Sequence, residues 1–172
     1  AFQELQRRGL DTHLYIVGCD PFKGRPPPGV TVYKHIRKSD PAEFDLYNRL
    51  FSDAALFVLP TRAEAYGLVF AEAAAFATPV IAPDTGGIPS VVDDGKTGIL
   101  LSHSAGGKEY ANAIETLWGD KARLREMAGN SRKKYTSDLN WDRWRADFDA
   151  LLQSLQQDKP ADPAETRLLG VK

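Results

Sequence analysis

Glu72 draws attention because of its neighbours. Around it run Leu68, Val69, Phe70, Ala71, Ala73, Ala74, Ala75, Phe76 and Ala77, all apolar or small. A helix that is apolar on every side is buried, so the spacing predicts a buried helix over 68–77 with Glu72 as its one ionisable group. An unpartnered buried carboxylate costs several kcal/mol or changes its protonation. Glu72 therefore requires donors. An arginine or a backbone group elsewhere in the fold would satisfy it, and so would the hydroxyls of a bound ribose. The start of the helix favours the ligand. Gly67 lets another molecule approach the backbone closely, and the first N–H groups and the positive end of the helix dipole attract anions. A phosphate at the helix start and a ribose at Glu72 would belong to one nucleotide.

The other chemically capable residues carry less. Gly86 and Gly87 follow an apolar run and form either a second phosphate contact or a plain turn, and the residue types do not decide between them. Residues 93–98 (Asp-Asp-Gly-Lys-Thr-Gly) lack the spacing of a calcium loop and read as a turn before a strand. His13, His35 and His103 are too scattered for a metal-ligand pattern, and no metal or cofactor is expected. Arg37 and Lys38 read as solvated surface, and the Trp141/Trp144 pair reads as packing on a helix face. Cys19 is the only cysteine, which excludes an internal disulfide and a thiolate metal site and makes a reducing, cytoplasmic setting the default.

These residues need a scaffold, and the apolar pattern describes one. Residues 14–18, 30–33, 55–59, 80–82 and 98–101 read as short strands. Helices are predicted at the N-terminus up to the capping Gly9, over 41–51 behind Asp40 as N-cap with Pro41 at the first helical position, over 68–77, and briefly over 88–92. Three more lie over 110–118, 121–135 and 141–155. Residues 20–29, with four prolines and two glycines, must be loop. Strands alternating with helices, each strand a continuous apolar run, predict an α/β fold: one Rossmann-like parallel sheet with helices on both faces. Ligands of such sheets bind beyond the carboxyl ends of the strands. Those ends carry Gly18, residues 60–67 and residues 83–87, which should converge.

At 172 residues, 42% hydrophobic and 26% charged, the chain suits one compact domain, expected over 1–157, with a Pro-, Asp- and Lys-rich tail over 158–172 held loosely. A net charge of -1, from 22 basic and 23 acidic residues, offers nothing to attract nucleic acid. No apolar run is long enough to cross a bilayer, and no signal peptide is visible.

The blocks 60–67, Glu72-Ala73, 79–82, 86–89 and 94–98 together resemble the retaining glycosyltransferases of the glycogen-synthase and sucrose-synthase type, family 4 of group 1. The likeness extends more loosely over residues 1 to about 155. Members have two Rossmann-like domains facing a cleft, the GT-B fold, and carry two glutamates with seven residues between them, as Glu64 and Glu72 have. The resemblance implies that this chain is the C-terminal, donor-binding half. Glu64 would touch hydroxyls of the donor sugar and is the candidate catalytic carboxylate. The backbone of Ala65, Tyr66, Gly67, Leu68 and Val69 would hold the sugar and phosphates, and Glu72 the ribose. Ile36 would meet the base through its backbone, and Gly18 would line the cleft. This chain has His35 where the family usually has Gly and Ser90 where it usually has Glu.

The resemblance also implies an enzyme that moves a sugar from a nucleoside diphosphate to an acceptor with retention. The basic pair that neutralises the leaving diphosphate and the acceptor-binding domain are expected to precede Ala1, so the isolated chain should be inactive. That N-terminal half leaves peripheral membrane association open. A nucleotide-sugar epimerase on the same two-domain plan and a non-catalytic nucleotide-binding module are the competing readings.

Overall fold

A computed structural model describes residues 1–157; the tail expected over 158–172 lies outside the described residues. The elements, in order, are α1 (Phe2–Arg7), β1 (Leu14–Val17), β2 (Val30–Tyr33), α2 (Pro41–Asp53), β3 (Phe57–Val58), α3 (Leu68–Ala75), β4 (Val80–Pro83), α4 (Ile88–Val91), β5 (Gly98–Leu101), α5 (Gly107–Gly119), α6 (Lys121–Ser137) and α7 (Trp141–Gln157).

Local chemistry sets the ends of the helices. Asp40 caps α2 by accepting from the N–H groups of Ala42 and Glu43, with Pro41 first in the helix. Gly9, at φ +80°, closes α1: its N–H donates to Gln6 O and that of Leu10 to Leu5 O. The same paired bonds close α3, from Ala77 to Ala74 O and from Thr78 to Ala73 O, but the left-handed residue is Ala77, at φ +57°. Helix α5 starts three residues earlier than its apolar pattern suggests, because Glu109 reaches back to accept from the Gly106 N–H at 2.9 Å.

All strands pair in parallel, as expected of an α/β fold, yet they form two sheets rather than one. β1 pairs with β2, in register Val17 to Tyr33. The second sheet has the order β3-β4-β5, with Val58 opposite Ile81 and Ile81 opposite Ile99. β3 is shorter than its apolar run, and its ladder bonds, Phe57 N–H to Pro79 O and Leu59 N–H to Ile81 O, all run to β4. Burial also differs between the sheets. Every residue of β4 is buried, whereas β1 alternates, with Tyr15 and Val17 exposed on one face. The reading of every strand as covered on both faces therefore fails for β1: an apolar run does not reveal how many of its faces find cover.

The core gathers where α2 and α3 lie against β3 and β4. Phe51 is its centre, with ring centroids of Tyr47 at 5.0 Å, Phe57 at 5.5 Å and Phe76 at 5.6 Å, and Phe70 beyond Phe57. The buried Thr78 hydroxyl donates to Phe51 O at 3.0 Å, tying the end of α2 to the approach of β4. Helix α7 departs from expectation. Trp141 and Trp144 pack on each other, and Trp144 stacks on Phe148, but the tryptophans are 68% and 56% exposed and belong to a solvent-facing apolar stripe.

Candidate functional site

The loop from β3 to α3 and the loop from β4 to α4 lie backbone against backbone at the carboxyl ends of their strands. A side chain at Gly86 (φ +54°) would collide with Glu64 O, and one at Gly87 with Ala65 O; the Gly87 N–H donates to Glu64 O at 3.3 Å. The Gly-Gly pair thus has a role beyond the two readings its residue types allowed: it admits the neighbouring loop. That partner is main chain and leaves no mark in the sequence pattern. Ser90, standing where a glutamate was expected, donates to Gly87 O at 2.6 Å and steadies the turn.

This contact holds the strand-to-helix loop in a defined shape. Gly67 caps α3 at φ +84°, where a side chain would also strike the Phe70 ring. Gly67 is itself buried, and its carbonyl takes the Phe70 N–H at 2.9 Å. Glu64 is partly buried beside it and accepts from the Ala65 N–H at 3.2 Å. Ala65, Tyr66 and Leu68 are exposed and Val69 partly so. Glu64, Ala65, Tyr66, Leu68, Val69, Gly86 and Gly87 are thus exposed in whole or in part around the buried Gly67.

Glu72 requires a correction. Helix α3 is not buried on all sides: Leu68 is 58% exposed, and the Glu72 side chain is 37% exposed. Nor is Glu72 unpartnered. Its Oε1 accepts from Lys38 Nζ at 2.6 Å, and its Oε2 accepts from the Tyr47 hydroxyl. The Lys38 ammonium also sits 4.3 Å from the Tyr47 ring centroid. Burial, and then the Glu72 carboxylate, push the Tyr47 hydroxyl well above the usual tyrosine range, so it stays protonated and donates. Arg37 and Lys38 are exposed, as their reading as solvated surface expects, but both are paired. Arg37 pairs with Glu43 at 2.5 Å and gives it a backbone N–H as well, which fixes the segment between β2 and α2. The same segment carries the partly buried Ile36 and delivers Lys38 to Glu72. Gly18, exposed at φ +90°, ends β1 by donating to Tyr33 O at 2.9 Å; its described bonds reach neither glutamate.

The remaining candidates settle into structural roles. His13 bonds the Thr31 hydroxyl at 2.9 Å, and residues 93–98 turn through Gly95, with the Lys96 and Thr97 N–H groups on Asp93 O. Two shallow depressions, one against α6 and one along the proline-rich loop, coincide with neither glutamate. Among the described residues no three His, Cys, Asp or Glu side chains gather as metal ligands, and no helix is long and apolar enough to cross a membrane.

This layout of parallel strands recurs in glycosyltransferases of the GT-B class. Sucrose-phosphate synthase from Thermosynechococcus elongatus superposes with a TM-score of 0.64 at 26% identity, over 92% of this chain and 34% of that one. Anabaena HepE, solved in complex with UDP, superposes at 0.61 with 20% identity, over 88% of this chain and 52% of that one. Residues 1–120 match the family described as Glycosyl transferases group 1, and the chain belongs to that family. Its curated relatives include an alpha-maltose-1-phosphate synthase of Mycolicibacterium smegmatis, 39% identical over 54% of this chain. A D-inositol 3-phosphate glycosyltransferase of Corynebacterium aurimucosum is 31% identical over 82% of it. The chain spans 25% and 35% of the length of these two relatives.

Proposed function

We propose that this chain is the C-terminal, donor-binding half of a retaining, cytoplasmic glycosyltransferase that takes a sugar from a nucleoside diphosphate. The observation that carries the reading is the pair of interlocked loops, which sets Glu64 beside the start of α3 with Glu72 farther along the same helix. The N–H groups at the start of α3 face the charge that grows on the diphosphate as the bond from the sugar's anomeric carbon to the phosphate oxygen breaks. The acceptor hydroxyl attacks that carbon from the same face and passes its proton to the departing phosphate oxygen. Glu64 holds sugar hydroxyls, Ala65 to Val69 and the Gly86-Gly87 turn line the sugar and phosphates, and Glu72 takes the ribose. Ile36 offers backbone to the base, and Gly18 borders the cleft. A further N-terminal half supplies the acceptor site, a basic pair for the diphosphate and any attachment to a membrane surface, so this chain alone binds donor without transferring it.

HepE has been solved with UDP and with UDP-glucose, which makes uridine nucleotides the first probes. The test is product analysis with labelled nucleotide sugars on the protein expressed from its full gene, with the anomeric configuration read by NMR. A retained glycoside, lost about a hundredfold in Glu64→Gln with nucleotide affinity preserved, is the expected result. An epimerised nucleotide sugar, or binding with no reaction, would transfer the assignment to an epimerase or a non-catalytic module.

A further inference from the structure

Glu72 is engaged on both oxygens at once, by donors of unequal character. Tyr47 comes from the body of α2, where its ring lies on Phe51. Its hydroxyl is a rigid donor held by the core. Lys38 comes from the segment between β2 and α2, and its side chain is 47% exposed. Its ammonium lies at the open edge of the carboxylate, with the Tyr47 ring face as a second resting place.

A vicinal diol binds a carboxylate through both oxygens, one hydroxyl to each. Each oxygen can accept more than one bond, so Tyr47 can stay while a hydroxyl joins it on Oε2. On Oε1 the half-exposed ammonium occupies the approach. Exposed ion pairs are weak, and a lysine stem loses little by swinging into water.

We propose that Lys38 is a displaceable occupant of the diol-binding edge of Glu72, exchanged for a ribose hydroxyl when donor binds, and that Tyr47 is the positioning residue that holds the carboxylate for the exchange. This rests on the reading of Glu72 as the ribose ligand. Lys38 then lowers donor affinity in proportion to the strength of its ion pair. It also keeps the carboxylate partnered while the site is free.

The test is calorimetric titration of the protein expressed from its full gene with UDP, GDP and ADP, each beside its 2′,3′-dideoxy counterpart. A dideoxy nucleotide has no diol and does not need Lys38 to leave. Lys38→Met, which keeps the stem and removes the charge, should bind the preferred ribonucleotide about two- to fivefold more tightly, with dideoxy affinity unchanged. Tyr47→Phe, which keeps the ring packing, should weaken only the ribonucleotide. Equal weakening of both nucleotides by Lys38→Met would make Lys38 a phosphate contact and overturn the proposal, as would no change in either. Glu72→Gln separates the two layers of inference. If it leaves the ribo-to-dideoxy ratio untouched, the ribose reading itself fails; if it collapses that ratio while Lys38→Met does nothing, only the displacement fails.

Discussion

At the scale of the residue, Glu72 shows how a correct position can rest on a wrong environment. Its place on α3 was legible in the sequence, but its burial and isolation were inferred from neighbours on the same helix. The partners that matter lie 34 and 25 residues away, Lys38 in the segment between β2 and α2 and Tyr47 on α2 itself. No periodicity within one helix announces such a meeting. The corrected environment changes what truncation should do. On the proposed ribose role of Glu72, Glu72→Ala should weaken nucleotide binding roughly ten- to a hundredfold by titration. It also strands the hydroxyl of a partly buried tyrosine, so a loss of about 1 kcal/mol in denaturant unfolding is expected, not a gain. Collapse of the fold would make Glu72 chiefly structural.

At the scale of the element, the glycines of the β4-to-α4 turn were legible as flexible but not as contacts. Gly86→Ala places a methyl group against a backbone carbonyl that cannot rotate away. The two loops must part, at a cost of about 1–3 kcal/mol, and nucleotide affinity should fall with the melting temperature. Unchanged affinity would uncouple the loop contact from the site. Helix α3 offers the opposite experiment. Ala77 holds a left-handed conformation that favours glycine. Even after the added freedom of the unfolded chain is subtracted, Ala77→Gly should stabilise by about 0.5–1 kcal/mol, seen as a Tm rise of about 2 °C. The start of α2 was readable because it is written locally: Asp40 and Pro41 cap the helix as their types predict. The exposed stripe of α7 was the least readable, since an amphipathic pattern names an apolar face without naming its cover.

At the scale of the whole molecule, α1 is held to α5 by a chain of charges: Arg8 bonds Glu4 at 2.8 Å and Glu115 at 2.6 Å, and Arg7 bonds Glu4 as well. Hydrogen bonds from Arg7 and Arg8 pull the Glu4 carboxyl from 4.5 down to about 2. A depressed carboxylate stabilises the fold above its unfolded pKa and loses that contribution as pH falls through the folded value. Melting temperatures should therefore drop between about pH 4.5 and 2 more steeply in the wild type than in Glu4→Gln; parallel curves would show that the cluster does not anchor α1. The α/β class and the parallel strands were legible because each apolar run is bounded by its own breakers. The division into two sheets was not, because an apolar run does not name the strand it pairs with. That division separates the amides into two populations. Those of β4 lie in a fully covered strand flanked on both sides by ladders, so deuterium should reach them only through opening of the entire domain. Those of β1 and β2 belong to a two-stranded ribbon with an exposed face, where a local opening suffices. Exchange at Ile81 and Ala82 should accordingly lag that at Ile16 and Val32 and track added denaturant with the full slope of global unfolding. The ribbon that carries Gly18 and leads into the segment bearing Lys38 would then open and close many times within one lifetime of the central sheet.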